Sequence, residues 1–179
     1  MTTPSLAVLR HSLTRIERAL VDSTPGQLAL DTLHETLNSI QKFSEPRKPP
    51  SRISLFLHAL VGKTPSTERT PEELRTFQSH YEKLSGLRTE FLRRKVALAS
   101  ITTKIDALYA ETEPLITNPI VADTRTPDAE MDISTFYSQL LNTRTILAAT
   151  LLSTTKALDV LNNAMDVVNK AIQRISTAQ

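Results

Sequence analysis

The sequence predicts an all-α protein, an elongated helical bundle in which a short N-terminal helical hairpin packs on a long antiparallel helix pair. The chain of 179 residues contains 3 glycines, too few for the positive-φ turns that a sheet protein of this size needs. Aromatic residues, which strands favour, make up 4% of it. Leucine and isoleucine recur at alternating intervals of three and four residues, which is the spacing of a helical stripe.

The first two predicted helices are short and form the hairpin, residues 1–43. The apolar stripe of the first helix is Leu6, Leu9, Leu13, Ile16 and Leu20. The stripe of the second helix is Leu30, Leu33, Leu37 and Ile40. Pro46 marks its end, because proline cannot continue a helix.

Two long helices are predicted over residues 71–113 and 127–177, all within a single domain of residues 1–179. The stripe of the first comprises Leu74, Phe77, Tyr81, Leu84, Leu87, Phe91, Leu98, Ile101, Ile105 and Leu108. The stripe of the second comprises Ile133, Tyr137, Leu140, Leu147, Leu151, Leu158, Leu161, Met165, Val168, Ile172 and Ile175. The connection between them is short and contains three prolines, beginning at Pro114, so we expect the helices to be antiparallel neighbours.

Thr-Pro occurs five times, and we interpret these pairs as helix N-caps. The pairs begin at Thr3, Thr24, Thr64, Thr70 and Thr126. Threonine at the N-cap accepts a hydrogen bond from a free backbone N–H, and proline fits the first helical position. Thr70-Pro71-Glu72-Glu73 completes a capping box. The same dipeptide is what a proline-directed kinase recognises, and we favour capping alone.

Some positions interrupt the stripes of the long helices. Thr143 and Thr154 fall in the middle of the last helix, and Arg94 and Lys95 in the one before it. Polar residues within an apolar stripe predict either imperfect packing within the chain, or a place where a partner or a solvated gap replaces that packing. Gly86 interrupts the same helix and predicts a kink or a close helix crossing.

Basic residues are concentrated in the middle of the chain. Residues 42–104 contain 13 basic and 6 acidic side chains, whereas the whole chain has a net charge of +2. The candidate anion-binding residues there are Arg88, Arg93, Arg94, Lys95 and Lys104. A solvated helix face is the simpler interpretation, because Phe91 belongs to the apolar stripe and Glu90 offsets part of the charge.

Several classes of chemistry are disfavoured by what the sequence lacks. The chain has no cysteine, which excludes disulfides, thiolate catalysis and cysteine-bound zinc. Val61–Thr64 copies the end of a phosphate-binding loop, but Leu57 stands where the leading glycine is required. The four histidines lie on separate segments without metal-binding spacing. We therefore expect no enzyme, metal, cofactor or small-molecule substrate.

Residues 44–70 read as a basic, proline-rich linker that contains a short apolar helix. Ile53, Phe56, Leu57 and Leu60 would share one face of it and are the candidate partner-binding residues. Nine residues make a marginal helix that needs something to pack on. Three interpretations remain open: a segment that closes the core, a partner-binding segment and a membrane contact.

The function that the sequence favours is a non-catalytic scaffold or adaptor that binds partner proteins, or a further copy of itself, through coiled-coil-like packing. We expect a bare helix pair to expose an apolar seam, which such partners would cover. The alternatives are a binder of anionic membranes or nucleic acid through the basic region, and an exported helical effector or translocator. With no secretory signal and no apolar run long enough to span a bilayer, we expect a cytoplasmic protein, or one exported by a route without a signal.

Overall fold

The computed structural model describes residues 5–44, 70–117 and 132–177. These residues form four helices: α1 (Leu6–Ser23), α2 (Gln27–Ser44), α3 (Pro71–Thr117) and α4 (Ile133–Thr177). None of the described residues lies in a strand. The predicted all-α helical bundle is therefore confirmed, with its long helices packed against each other.

Contacts divide the chain into two compact units. Unit 1 combines Met1–Gly26 with Glu90–Met165, and unit 2 combines Gln27–Thr89 with Asp166–Gln179. In unit 1, α1 packs on the end of α3 and the start of α4, whereas unit 2 contains α2 with the opposite ends of both long helices. In each unit, the parts of α3 and α4 that belong together lie at similar distances along the sequence from the connection between the two helices. The long helices therefore run antiparallel.

Both long helices bury a heptad stripe that continues along their whole length. In α4 the buried residues follow each other at alternating intervals of four and three residues. They are Phe136, Leu140, Thr143, Leu147, Thr150, Thr154, Ala157, Leu161, Ala164, Val168, Ala171 and Ile175. The corresponding row in α3 is Phe77, His80, Leu84, Leu87, Phe91, Leu98, Ile101, Ile105, Leu108, Thr112 and Leu115, with half-buried Arg94 in the one remaining position. This strict repeat of 3.5 residues per turn is typical of left-handed helix packing.

The polar residues in the stripe of α4 are covered by the chain itself. Thr143 and Thr154 are 2% and 0% exposed. Their hydroxyls each donate to the carbonyl four residues earlier, at 2.8 Å, which satisfies them without a partner. The seam is therefore closed at these positions, so of the two interpretations that the sequence left open, packing within the chain holds and the partner-filled or solvated gap does not.

Three predicted members of the apolar stripes face solvent instead. Leu74, Tyr81 and Ile133 are 47%, 38% and 71% exposed. Leu74 and Ile133 lie in the first turns of their helices. Tyr81 directly follows buried His80, so the histidine occupies the stripe and the tyrosine lies beside it.

The helix ends correct several predictions. α3 continues past Pro114 to Thr117, since buried Leu115 extends the heptad stripe through the last turn. α4 begins at Ile133 rather than at residue 127. Gly86 lies inside an unbroken helix, and a Cβ at this position would have open space around it, so no close helix crossing requires the glycine.

Among the described Thr-Pro pairs, one caps a helix as predicted. At Thr70, the hydroxyl accepts from the Glu73 N–H at 3.3 Å, and the Glu73 carboxylate accepts from the Thr70 N–H at 2.9 Å. Thr24 instead ends α1, where its N–H and its hydroxyl both donate to the Leu20 carbonyl. The N-cap of α1 is Ser5, and the pairs at Thr3, Thr64 and Thr126 lie outside the described residues.

Candidate functional site

An apolar groove runs between α1 and α3 within unit 1, with a volume of about 380 Å³. Its floor is formed by buried Ile16, Ile101 and Leu108. Its walls are formed by Ser12, Arg15 and Ala19 of α1 and by Lys104 and Ala107 of α3. The small residues keep the walls low, so the floor can be reached from outside the bundle.

The two helices that form this groove are antiparallel. The end of α1 lies against Arg94, whereas its middle faces the part of α3 around Ile101 and Leu108. The first and last lining residues are seven positions apart on each helix, which corresponds to two helical turns, or about 10 Å. The groove therefore follows the helix axes for one heptad.

The charge of the groove is entirely positive. Arg15 stands on the α1 wall and Lys104 on the α3 wall, both exposed, and none of the lining residues is acidic. The next residue in the row of Lys104, one heptad further along α3, is Glu111, which is outside the lining. An occupant of the groove would thus meet one cation on each side of an apolar floor.

Unit 2 contains a groove of the same character between α2 and α4. It has a volume of about 360 Å³ and is lined by Leu37, Ile40, Gln41, Val167, Lys170, Ala171 and Arg174. Two basic side chains again stand beside an apolar floor, and the lining again contains no acidic residue. Both basic residues of this groove lie on the α4 wall, whereas the groove in unit 1 has one cation on each wall.

The five candidate anion-binding residues do not share one face of α3. At 100° per residue, Lys95 lies almost in line with Arg88, and Lys104 lies almost in line with Arg93. These two rows are separated by about 160° around the helix. Arg88 belongs to unit 2 and the other four residues to unit 1.

Arg94 is turned towards the protein rather than towards an external anion. Its Nε and Nη2 donate to the Glu90 carboxylate at 2.9 and 2.8 Å. Its Nη1 donates to the backbone carbonyls of Asp22 and Thr24 at 3.1 and 2.6 Å. These carbonyls belong to the end of α1, where helical carbonyls lack an intrahelical donor. Arg94 thus fastens α1 to α3.

A second polar cluster joins α3 to α4 in unit 1. Arg144 Nη1 donates to the Glu113 carboxylate at 2.7 Å, and its guanidinium carbon lies 4.6 Å from the centroid of the Tyr109 ring. The hydrogen bond to Glu113 raises the pKa of Arg144, which therefore stays protonated. The cluster contains no nucleophile with an adjacent base, and an ion pair with a stacked ring is a sufficient account of it.

His80 is a buried titratable group in the described part of unit 2. It occupies the heptad stripe of α3 and is 9% exposed. Burial lowers its pKa, and the neighbouring charge of Lys83 lowers it further. In the described part of the chain, no three His, Asp or Glu side chains lie close enough together to hold a metal ion.

The candidate partner-binding residues Ile53, Phe56, Leu57 and Leu60 lie outside the described residues, so their prediction remains untested. The grooves were missed by sequence reasoning because each combines residues from two helices that are distant in sequence. A local signal existed in α1, where small Ser12 and Ala19 are one heptad apart beside the apolar stripe. No helix of the described chain combines the length and the apolar character needed to cross a bilayer.

Comparison with known protein families, with curated proteins and with solved structures finds no match for this chain.

Proposed function

We propose that this protein is a non-catalytic helical adaptor that binds partner proteins by packing their helices against its own. The observation that carries the proposal is the pair of open, apolar interhelical grooves, one in each unit. The heptad seam itself is already filled by the chain, so a partner would bind on the outside of the bundle. An amphipathic helix laid in an apolar groove is a common mode of protein recognition.

The arrangement of the five candidate anion-binding residues of α3 favours this function over binding to membranes or nucleic acid through that helix. Electrostatic binding to a phosphate surface needs several cations on one face. Here Arg88 with Lys95 and Arg93 with Lys104 form two separate rows, and Arg94 is bound to Glu90 and to α1. Lys104 contributes instead to the wall of an apolar groove.

The test is to purify the tagged chain from its native source at about 0.5 M salt, where exposed charge interactions are largely screened. The adaptor function predicts a discrete partner in stoichiometric amount, or a defined homo-oligomer, by crosslinking mass spectrometry and analytical ultracentrifugation. A monomer without partners would contradict it. Salt-sensitive binding to anionic vesicles or oligonucleotides would also contradict it, if that binding is lost when Arg88, Arg93 and Lys95 are changed to Glu. This set of substitutions leaves Arg94 in place to hold α1.

A further inference from the structure

We infer that the groove between α1 and α3 in unit 1 binds an acidic amphipathic helix of a partner protein. This inference rests on the proposed function and specifies the partner's chemistry. The partner helix would present an apolar ridge to the floor at Ile16, Ile101 and Leu108, and Asp or Glu on both sides of that ridge. Two turns of lining on each helix correspond to about one heptad of such a ligand.

Charge complementarity identifies the occupant. Arg15 and Lys104 stand on opposite walls and are exposed, so a carboxylate on each side of a docked helix can reach one cation. Charged residues that flank an apolar seam select partners in coiled coils in the same way. The lining offers no acidic residue that would favour a basic ligand.

The shape of the groove agrees with a helix. Ser12, Ala19 and Ala107 form the walls where a docked helix would come closest, and small residues allow the axes of packed helices to approach to about 8 Å. Because the groove runs along two antiparallel helices, the axis of a ligand helix can lie alongside both, with its direction parallel to one and antiparallel to the other.

The chain's own apolar segment, residues 53–61, has the wrong charge for this groove. It is flanked by Arg47, Lys48, Arg52 and Lys63, which would be repelled by the groove cations Arg15 and Lys104. A ligand from another protein with acidic flanks fits the charge of the walls, whereas this segment does not.

The probe is a displayed library of helical peptides three heptads long, selected on the full-length protein. Leu, Ile or Ala fills the apolar positions a and d, and each flanking position e and g is drawn equally from Glu, Gln and Lys. We expect Glu to be enriched at both e and g positions. Equal frequencies of the three residues, enrichment of Lys, or failure to enrich any binder would overturn the inference.

The selected peptide is then measured by fluorescence anisotropy against matched variants. The double variant Arg15→Glu with Lys104→Glu is expected to weaken binding about 10-fold or more, and to prefer the same peptide with Lys in place of Glu. Ala107→Trp, which fills the groove, is expected to weaken binding to a similar extent. Lys156→Glu, an exposed charge reversal on α4 outside both grooves, should change Kd by less than about twofold. Circular dichroism verifies that each variant is folded.

Competition experiments distinguish the other possible occupants. Displacement of the peptide by oleate or by phosphatidylserine vesicles, but not by acidic helical peptides, would overturn the inference in favour of an anionic lipid. Retention of the peptide by the double variant would overturn it as well. If native partners are captured equally well by the double variant, the inference fails while the adaptor function stands; if no native partner is captured at all, the adaptor function fails separately.

Discussion

Unit 1 and unit 2 each place a basic residue in the same row of the α3 stripe, and the two units accommodate it differently. Arg94 in unit 1 stays charged, because Glu90 and the carbonyls of Asp22 and Thr24 accept from its guanidinium. His80 in unit 2 lies in the seam with its pKa lowered by burial, which favours the neutral ring. The comparison shows that the same row of a helical seam can hold a charge that several acceptors bind, or a group whose charged form is disfavoured by burial and by a neighbouring cation.

The largest expected effect is at Arg94. Arg94→Ala leaves the carbonyls at the end of α1 and the Glu90 carboxylate without this donor, and should lower the free energy of unfolding by about 2–3 kcal/mol. The loss is smaller than for a fully buried pair, because the side chains of Arg94 and Glu90 are 20% and 35% exposed. Urea denaturation followed by circular dichroism measures it, and hydrogen exchange should accelerate in α1.

The neighbouring arginine is the matched control for this experiment. Arg93→Ala removes an exposed side chain of the same type and should change the free energy of unfolding by less than about 0.5 kcal/mol. Equal losses at Arg93 and Arg94 would contradict the anchoring role that we assign to Arg94.

His80 should make unit 2 sensitive to acid. The pKa of His80 in the folded protein lies below its ordinary value of 6.5, so the unfolded chain binds the proton more readily. The contribution of His80 to the free energy of unfolding is therefore fully present at about pH 7.5, and it is lost as the pH falls below about 6.5. The urea midpoint should decrease between these conditions and about pH 5, and His80→Leu should reduce that decrease.

The wild-type protein and the His80→Leu variant are compared over the same pH range. A wild-type midpoint that stays constant down to about pH 5, or a His80→Leu variant with the full decrease, would show that His80 is not buried as described.

The Thr-Pro pairs at Thr70 and Thr24 test the same dipeptide in two roles. Thr70→Ala removes the capping box at the start of α3 and should cost about 1 kcal/mol. Thr24→Ala removes a hydroxyl that only donates to the Leu20 carbonyl. The Thr24 N–H also donates to that carbonyl, so the substitution should cost less than about 0.5 kcal/mol. Thermal denaturation compares the two, and a greater loss at Thr24 would contradict the assignment.

A small stabilisation is expected at Gly86. A Cβ at this exposed helical position meets open space, so Gly86→Ala should raise the free energy of unfolding by about 0.5–1 kcal/mol. The reverse change in unit 1, Ala99→Gly on the exposed side of the same helix, should lower it by a similar amount. Destabilisation by Gly86→Ala would contradict the open space around this position and would support the kink or close helix crossing that the sequence predicts.

The fold was predictable because its main determinant is periodic. The 3-4 spacing of leucine and isoleucine predicted four helices and most of the core, including Leu6, Leu98 and Leu161. Helix ends were less predictable, since they depend on local hydrogen bonds. The same Thr-Pro dipeptide ends α1 at Thr24 and begins α3 at Thr70, and only the carbonyl and N–H groups nearby distinguish the two cases.

The candidate site could not be predicted from the periodicity alone. Arg15 and Lys104 belong to helices that are far apart in the sequence. Only the packing of these two helices places them on opposite walls of one groove. Likewise, the sequence places Arg94 among basic residues, and only the packing of α1 on α3 brings the acceptors at the end of α1 to its guanidinium.

The most direct test of the account compares the thiol accessibility of two adjacent threonines in α4. The chain contains no cysteine, so Thr154→Cys and Thr155→Cys each introduce a single thiol by the same substitution. Thr154 is 0% exposed in the heptad seam, whereas Thr155 faces solvent. We predict that a maleimide labels Cys at 154 about 100-fold more slowly than Cys at 155, because labelling requires the seam to open. Equal rates would mean that the seam is uncovered, and that partners could bind there instead of in the grooves.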